Sequence, residues 1–344
     1  MKLPGKKVLL FSSPRSGSTF LSNIVRSHPE VIFFNELFTR APKLLPRFEG
    51  AFQTSRREDW RSTFEHDLER LWGYKLPWWG NVLHRSRLTK VPVFLTAKLL
   101  ASLSQRAWGE NWGTLHRIYH INALVEPPWG PFWATQFPKA SASDVLLVKD
   151  VRMSKAYFAF KEMYPDAFFI YLVRNPYFVV ASEVRRRPLE DVLRWLDRGY
   201  LRDQFGQPDL VDRFFGRSAE HTFAVTWRLE NELVWSDMQK APPANLVVAR
   251  YEDLALASRA TAQQVFDFIG LDLHQNTLGY LDALTTIRPH QVLHDRSTFV
   301  GADMRGKLEK PGLDSRQLLH VAEVLEGSPL LKFWEPLPAW MSAP

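Results

Sequence analysis

Short apolar runs alternate with stretches whose apolar residues recur at helical spacing. This alternation constrains the fold more than any other feature. KKVLLFSS (6–13) is short and apolar, as expected of a parallel strand buried on both faces. STFLSNIVRSH (18–28) places Phe20, Leu21, Ile24 and Val25 on one helical stripe, and Pro29 stops it. EVIFF (30–34) is the next strand, so residues 6–34 form a strand–loop–helix–strand unit. A second unit repeats the pattern. DVLLVKDV (144–151) is a strand, SKAYFAFKEMY (154–164) a helix and AFFIYLVR (167–174) a strand. NPYFVVASEVRR (175–186) then opens a helix with Pro176 in its first turn. A helix ending near Lys240 leads to the strand NLVVARY (245–251). The amphipathic helix SRATAQQVFDFIGL (258–271) follows and ends at Gly270, and one more helix is expected near 315–326. Strands alternating with helices predict an α/β fold with a doubly wound parallel sheet.

The length, 344 residues, fits one large domain or two modest ones, and 45% apolar residues suffice for a sizeable core. We read residues 1–344 as a single domain with two insertions. Residues 40–140 hold eight of the thirteen tryptophans, and contain helical fragments (57–72, 97–107) but no convincing strand. They read as a cap over the open side of the sheet. Residues 185–225 read as a second, more polar helical cap, and the whole second insertion is taken as 187–240. The net charge of +7 favours anionic ligands without choosing among them. The absence of cysteine excludes disulfides, thiol catalysis and thiolate metal sites. The first apolar run is too short, and too soon interrupted by Pro14 and Arg15, to be a signal segment or a span. A cytoplasmic protein is expected. The basic aromatic stretch WGYKLPWWGNVLHRSR (72–87) leaves peripheral membrane contact open.

The loop between the first strand and helix, Pro14-Arg15-Ser16-Gly17-Ser18-Thr19, has the composition of an anion seat. Helix N-termini offer unpaired N–H groups and the positive end of the macrodipole. A glycine lets the loop close around an oxyanion, hydroxyls add donors, and Arg15 adds a planar charged fork. The plain structural alternative is a helix cap made by Ser16 or Ser18, with Arg15 solvated. A nucleoside triphosphate loop would need G-x-x-x-x-G-K-[ST], and this loop lacks both the first glycine and the lysine.

PRSGSTFL (14–21) resembles the 5′-phosphosulfate loop of sulfotransferases that use 3′-phosphoadenosine 5′-phosphosulfate (PAPS). Arg15, where cytosolic members carry lysine, is similar to the carbohydrate-type and trehalose-type branch. YLVRNPYFVVASEVRR (171–186) supplies the second half of the resemblance. In the family, an arginine and a serine eight residues later hold the 3′-phosphate; here these are Arg174 and Ser182. Arg174 closes a strand, where open α/β sheets bind ligands. Weaker likenesses are LLVKDVR (146–152), and RYEDLA followed by VFDFIGL, read as architectural. The family's glycine-rich C-terminal loop has only MRGKL (304–308), with Arg305 and Lys307, as a stand-in.

The resemblance implies a P-loop-like sulfotransferase fold with helical caps and PAPS as co-substrate, held by Arg15, Ser16, Gly17, Ser18, Thr19, Arg174 and Ser182. It implies in-line sulfuryl transfer to a hydroxyl, with Arg15 and Glu36 as the catalytic pair and no metal. Glu36 follows the second strand, where carbohydrate-type members place a carboxylate base; a surface glutamate is the plain alternative. Asp150, His84, His116 and His120 are the other base candidates. The expected acceptor is a carbohydrate or glycolipid, with a small hydroxylated metabolite as the alternative and no nucleic-acid partner. Trp72, Trp78, Trp79, Trp129 and Trp133 either stack sugar faces or pack the insertion. The rivals from other classes are a P-loop nucleotide kinase and a non-catalytic nucleotide-binding protein. Oligomeric state is not legible.

Overall fold

A computed structural model of the chain describes residues 5–35, 65, 145–151, 153–286 and 308–335. The helical fragments expected at 57–72 and 97–107, the Trp-rich insertion and the 304–307 stretch lie outside these, Glu65 excepted. Described helices are numbered in chain order. β1 (Lys6–Phe11) runs through a loop into α1 (Ser18–Arg26) and β2 (Val31–Asn35). β3 (Val145–Asp150) opens the second unit, with a 3-10 turn at Met153–Ala156, α2 (Tyr157–Met163), β4 (Phe168–Val173) and α3 (Pro176–Val184). Three short helices follow, α4 (Leu189–Trp195), α5 (Arg198–Gln204) and α6 (Pro208–Phe214), then the long α7 (Ala219–Lys240). β5 (Asn245–Arg250) passes into α8 (Tyr251–Leu256), α9 (Ser258–Ile269) and α10 (Gln275–Thr286). α11 (Ser315–Leu325) and a 3-10 turn at Pro329–Trp334 complete the described chain.

The five strands form one parallel sheet in the order β2-β3-β1-β4-β5. β1 lies at its centre, hydrogen-bonded to β3 on one side and β4 on the other. The chain places β2 and then β3 on one side of β1 and β4 and then β5 on the other, so the connections switch direction at β1. Open α/β sheets bind ligands at such a switch point, beyond the carboxyl ends of the strands.

Helices cover both faces, which explains why the strands read as continuous apolar runs rather than alternating ones. Alternate side chains of β1 serve different cores. Leu9 and Phe11 face a core shared with α2, α3, α7 and α11. Val8 and Leu10 face a second core with α1, α9 and α10. All four are fully buried, and each such side chain contributes about 1.5–3 kcal/mol relative to exposure. This double burial holds β1, and therefore the loop that leaves it, in a fixed place.

Among the described residues the elements expected at 6–34, 144–186, 245–271 and 315–326 are present with shifted ends, while Tyr251–Leu256, Gln275–Thr286 and the 3-10 turn Pro329–Trp334 were not expected. The helix expected over 154–164 begins as a 3-10 turn and becomes α-helical only at Tyr157. The strand expected to run to Tyr251 stops at Arg250, because Tyr251 already begins α8. No described helix is both long and apolar enough to cross a membrane.

Candidate functional site

The loop leaving β1 is built from buried hydroxyl residues. Ser12, Ser13, Ser16 and Ser18 are all buried. The Ser16 N–H donates to the Ser13 carbonyl at 3.3 Å, and their hydroxyls pair at 2.8 Å. The Ser12 hydroxyl has no hydrogen-bond partner among the described residues. Two residues take the left-handed backbone that tightens the turn, Arg15 at φ 64 and Gly17 at φ 85. Gly17 occupies the N-cap of α1 and no side chain caps that helix. Ser16 therefore does not cap it; its hydroxyl is committed to Ser13. The first-turn N–H groups of α1 keep the free donors and positive field that suit an oxyanion.

Gly17 also admits a neighbour. A Cβ at this position would lie 2.1 Å from Cδ2 of Tyr251. Only a residue without a side chain lets the Tyr251 ring rest against the loop.

The second motif meets the first directly. Arg174 follows β4, and its Nη1 donates to the Arg15 carbonyl at 2.9 Å, across 159 residues of sequence. Its guanidinium lies 4.2 Å over the Tyr251 ring, a cation–π contact. Its Nε is buried without a partner among the described residues. Burial pushes the Arg174 pKa down; Tyr251 and Glu252 oppose this, and the charges of Arg15 and Arg185 reinforce it. An arginine starts so high that it stays charged. A desolvated cation with an unused donor gains strongly from an anion. Arg15 in turn reaches the other way, its Nε donating to the Ser182 hydroxyl at 3.2 Å. Ser182 lies on α3, whose first turn carries Pro176 and is capped by the Asn175 side chain accepting from the Tyr177 N–H at 3.1 Å.

A half-buried carboxylate holds this junction. Glu252 accepts from the Asn175 N–H at 3.0 Å and from Trp334 Nε1 at 3.2 Å. Burial raises its pKa, against the hydrogen bonds and the Arg174 charge. The RYEDL segment, read from sequence as architectural, thus contributes Tyr251 and Glu252 to the surroundings of Arg174. The close pairing of Gly17 with Tyr251 was not visible in sequence, since 234 positions of chain separate elements that only the sheet order brings together.

Arg15, Ser16, Gly17, Ser18, Thr19, Arg174 and Ser182 all stand at or next to the carboxyl ends of β1 and β4. Asp150, fully buried, ends β3 in register with Phe11, the last residue of β1. Lys149 beside it is also fully buried. Glu36 comes directly after Asn35, the end of β2, and lies outside the described residues, as do His84, His116, His120, Arg305 and Lys307.

A family model described as the sulfotransferase family matches residues 8–275. The chain belongs to the sulfotransferase family. The match spans β1 through the start of α10 and includes both motifs. No curated protein matches the chain. Solved sulfotransferases are similar to it at low identity. The sulfotransferase domain of the Synechococcus PCC 7002 olefin synthase is 19% identical, with 95% of each chain covered and a TM-score of 0.45. The sulfotransferase domain from the curacin biosynthetic pathway is 19% identical, with 81% of this chain and 78% of that one covered and a TM-score of 0.39. Sulfotransferase STF9 from Mycobacterium avium is 13% identical, with 94% and 76% covered and a TM-score of 0.38. Family membership makes this sulfotransferase a transferase; its parallel sheet of five strands is its own evidence for the α/β fold.

Proposed function

We propose that the protein transfers the sulfuryl group of PAPS to a hydroxyl of a carbohydrate or glycolipid acceptor. One observation carries the donor reading. Arg174 binds the Arg15 carbonyl while Arg15 binds Ser182, so two anion-binding features are joined in one site. One is the uncapped start of α1, suited to the 5′-phosphosulfate; the other is Arg174 with Ser182, suited to a 3′-phosphate. The unpartnered Arg174 Nε and the unpartnered Ser12 hydroxyl fit a ligand rich in acceptor oxygens.

The donor supplies the sulfuryl group: a sulfur–oxygen bond to the 5′-phosphate breaks as one to the acceptor oxygen forms, and the hydroxyl proton passes to a base. The chain's own tasks are positioning and charge stabilisation. The N–H groups at 17–19 would hold the 5′-phosphate, where negative charge builds. Arg15, bridging to Ser182, would fix the spacing between the two phosphates. Glu36 would receive the proton; it follows Asn35, the last residue of β2, and the parallel strands β2 and β1 end on the same side of the sheet. Arg15 in place of lysine supports the carbohydrate-type branch.

The donor is tested by thermal stability of the full chain with 3′-phosphoadenosine 5′-phosphate, AMP and ATP. A ligand that binds only the folded state raises the melting temperature by mass action. The bisphosphate should give the largest shift, and equal shifts with AMP would refute the second seat. Radiolabelled transfer from PAPS to free oligosaccharides, to glycolipid in vesicles and to small alcohols then separates the acceptor classes. With an acceptor in hand, Glu36→Gln should lower turnover roughly 10²–10⁴-fold while donor affinity stays within a few-fold. Near-normal turnover would turn attention to Asp150.

A further inference from the structure

The ground around Ser182 carries more positive charge than the two motif arginines supply. Arg185 stands three residues after Ser182, at the C-cap of α3, and that spacing sets the two on one helix face. Its side chain is exposed. Its Nη1 donates to the Pro311 carbonyl at 3.5 Å, the outer limit of a hydrogen bond. Gly312, at φ 72, lies beside it, and a Cβ there would stand 3.2 Å from Arg185 Nη1. The 311–312 segment thus lies against this guanidinium yet holds it only weakly.

Arg185 and Arg15 both act on Arg174 as like charges. Among the described residues none of these arginines is in an ion pair. Glu252, which also acts on Arg174, has its two oxygens taken by the Asn175 and Trp334 N–H groups. A cluster of like charges is relieved by an anion, and the relief grows with the charge the anion brings. A phosphate monoester carries close to two negative charges at neutral pH; a ribose hydroxyl carries none.

Resting on the donor reading above, we propose that Arg185 is a specificity-determining residue of the 3′-phosphate seat. It exchanges its weak Pro311 contact for a dianionic phosphate monoester. It thereby separates nucleotides phosphorylated at the 3′ position from those with a free 3′-hydroxyl. Arg174 and Ser182 hold the phosphate from the strand end and the last turn of α3; Arg185 closes on it from the end of that helix.

The test is calorimetric titration of the full chain with 3′-phosphoadenosine 5′-phosphate and with AMP. Arg185→Ala should weaken the bisphosphate roughly ten-fold, the scale of one charge-assisted hydrogen bond, and leave AMP unchanged within about two-fold. Arg185→Lys keeps the charge without the fork and should fall between wild type and alanine. Unchanged bisphosphate affinity in Arg185→Ala, in a protein that still prefers bisphosphate to AMP, overturns the role of Arg185 and leaves the donor reading standing. Equal weakening of both ligands makes Arg185 a structural end to α3 and also overturns it. A wild-type protein with no preference for the bisphosphate overturns both.

Discussion

Arg15 is the one described non-glycine residue with a left-handed backbone, at φ 64. Such a conformation costs about 1–3 kcal/mol and persists only where surrounding contacts enforce it. Here the enforcing contacts are visible. Its carbonyl accepts from Arg174 and its Nε donates to Ser182. The strain sits at the join of the two proposed phosphate seats, and Arg174 is the residue that holds the join. Arg174→Ala should therefore cost bisphosphate binding about 2–5 kcal/mol, the scale of truncating a desolvated charge partner. Ser182→Ala removes one hydroxyl and should cost on the order of 1 kcal/mol. Titration of both variants checks the ranking. Equal affinity in Arg174→Ala and wild type would remove the main support for the second seat.

At the scale of elements, the site is a meeting of helix and strand ends that share no local sequence. Glu252 ties three of them: the β4–α3 turn through the Asn175 N–H, the start of α8 on which it sits, and the 3-10 turn of Trp334. Both donors are buried or nearly so, with Asn175 at 2% and Trp334 at 7% exposure. Removing their acceptor leaves each donor unsatisfied, at about 1–3 kcal/mol apiece. Glu252→Ala should then lower the unfolding free energy by roughly 2–6 kcal/mol in urea titration. Bisphosphate binding should also weaken, because the turn carrying Arg174 loses its anchor. A loss of stability below that of an ordinary surface substitution would show that the three ends hold together without it.

At the scale of the molecule, the sheet separates two cores, and His28 marks an edge of one of them. It is buried, with ring contacts to Phe266 at 5.6 Å and to His274 at 5.5 Å, and so links the α1–β2 turn to α9 and to the loop that leads into α10. Its Nδ1 accepts from the Glu30 N–H at 3.2 Å, a bond that only the unprotonated nitrogen can make. Burial pushes its pKa below 6.5, with His274 acting in the same direction and Glu30 and Asp272 opposing. The unfolded chain therefore binds a proton at His28 before the folded one does. This contribution to stability is complete above pH 6.5, falls as pH drops toward the folded pKa, and is level below it. His28→Gln removes the titration, so the urea midpoint of wild type should drop more between pH 7.5 and pH 5.5 than that of the variant. Equal drops would mean that His28 does not titrate differently in the two states.

The sequence by itself determined the strands, the helices that follow them, and the two anion motifs at 14–19 and 174–182. Each rests on short-range pattern: runs such as VLLV are apolar because both faces are covered, and Pro176 suits the first turn of a helix. It also determined the family, because both motifs occur in order with intact spacing. The tertiary structure decided what those motifs do to each other. That Arg15 should reach Ser182, that Tyr251 should rest on Gly17, and that Glu252 should anchor the turn beside Arg174 follow from β1 lying between β3 and β4, with β5 beyond β4. Strand order is set by the total burial of both sheet faces, a sum over the whole chain that no local window contains. The same reason explains the boundary at Tyr251, where local β-propensity predicts strand. Packing against Gly17 and Arg174 instead draws the residue into the first turn of α8.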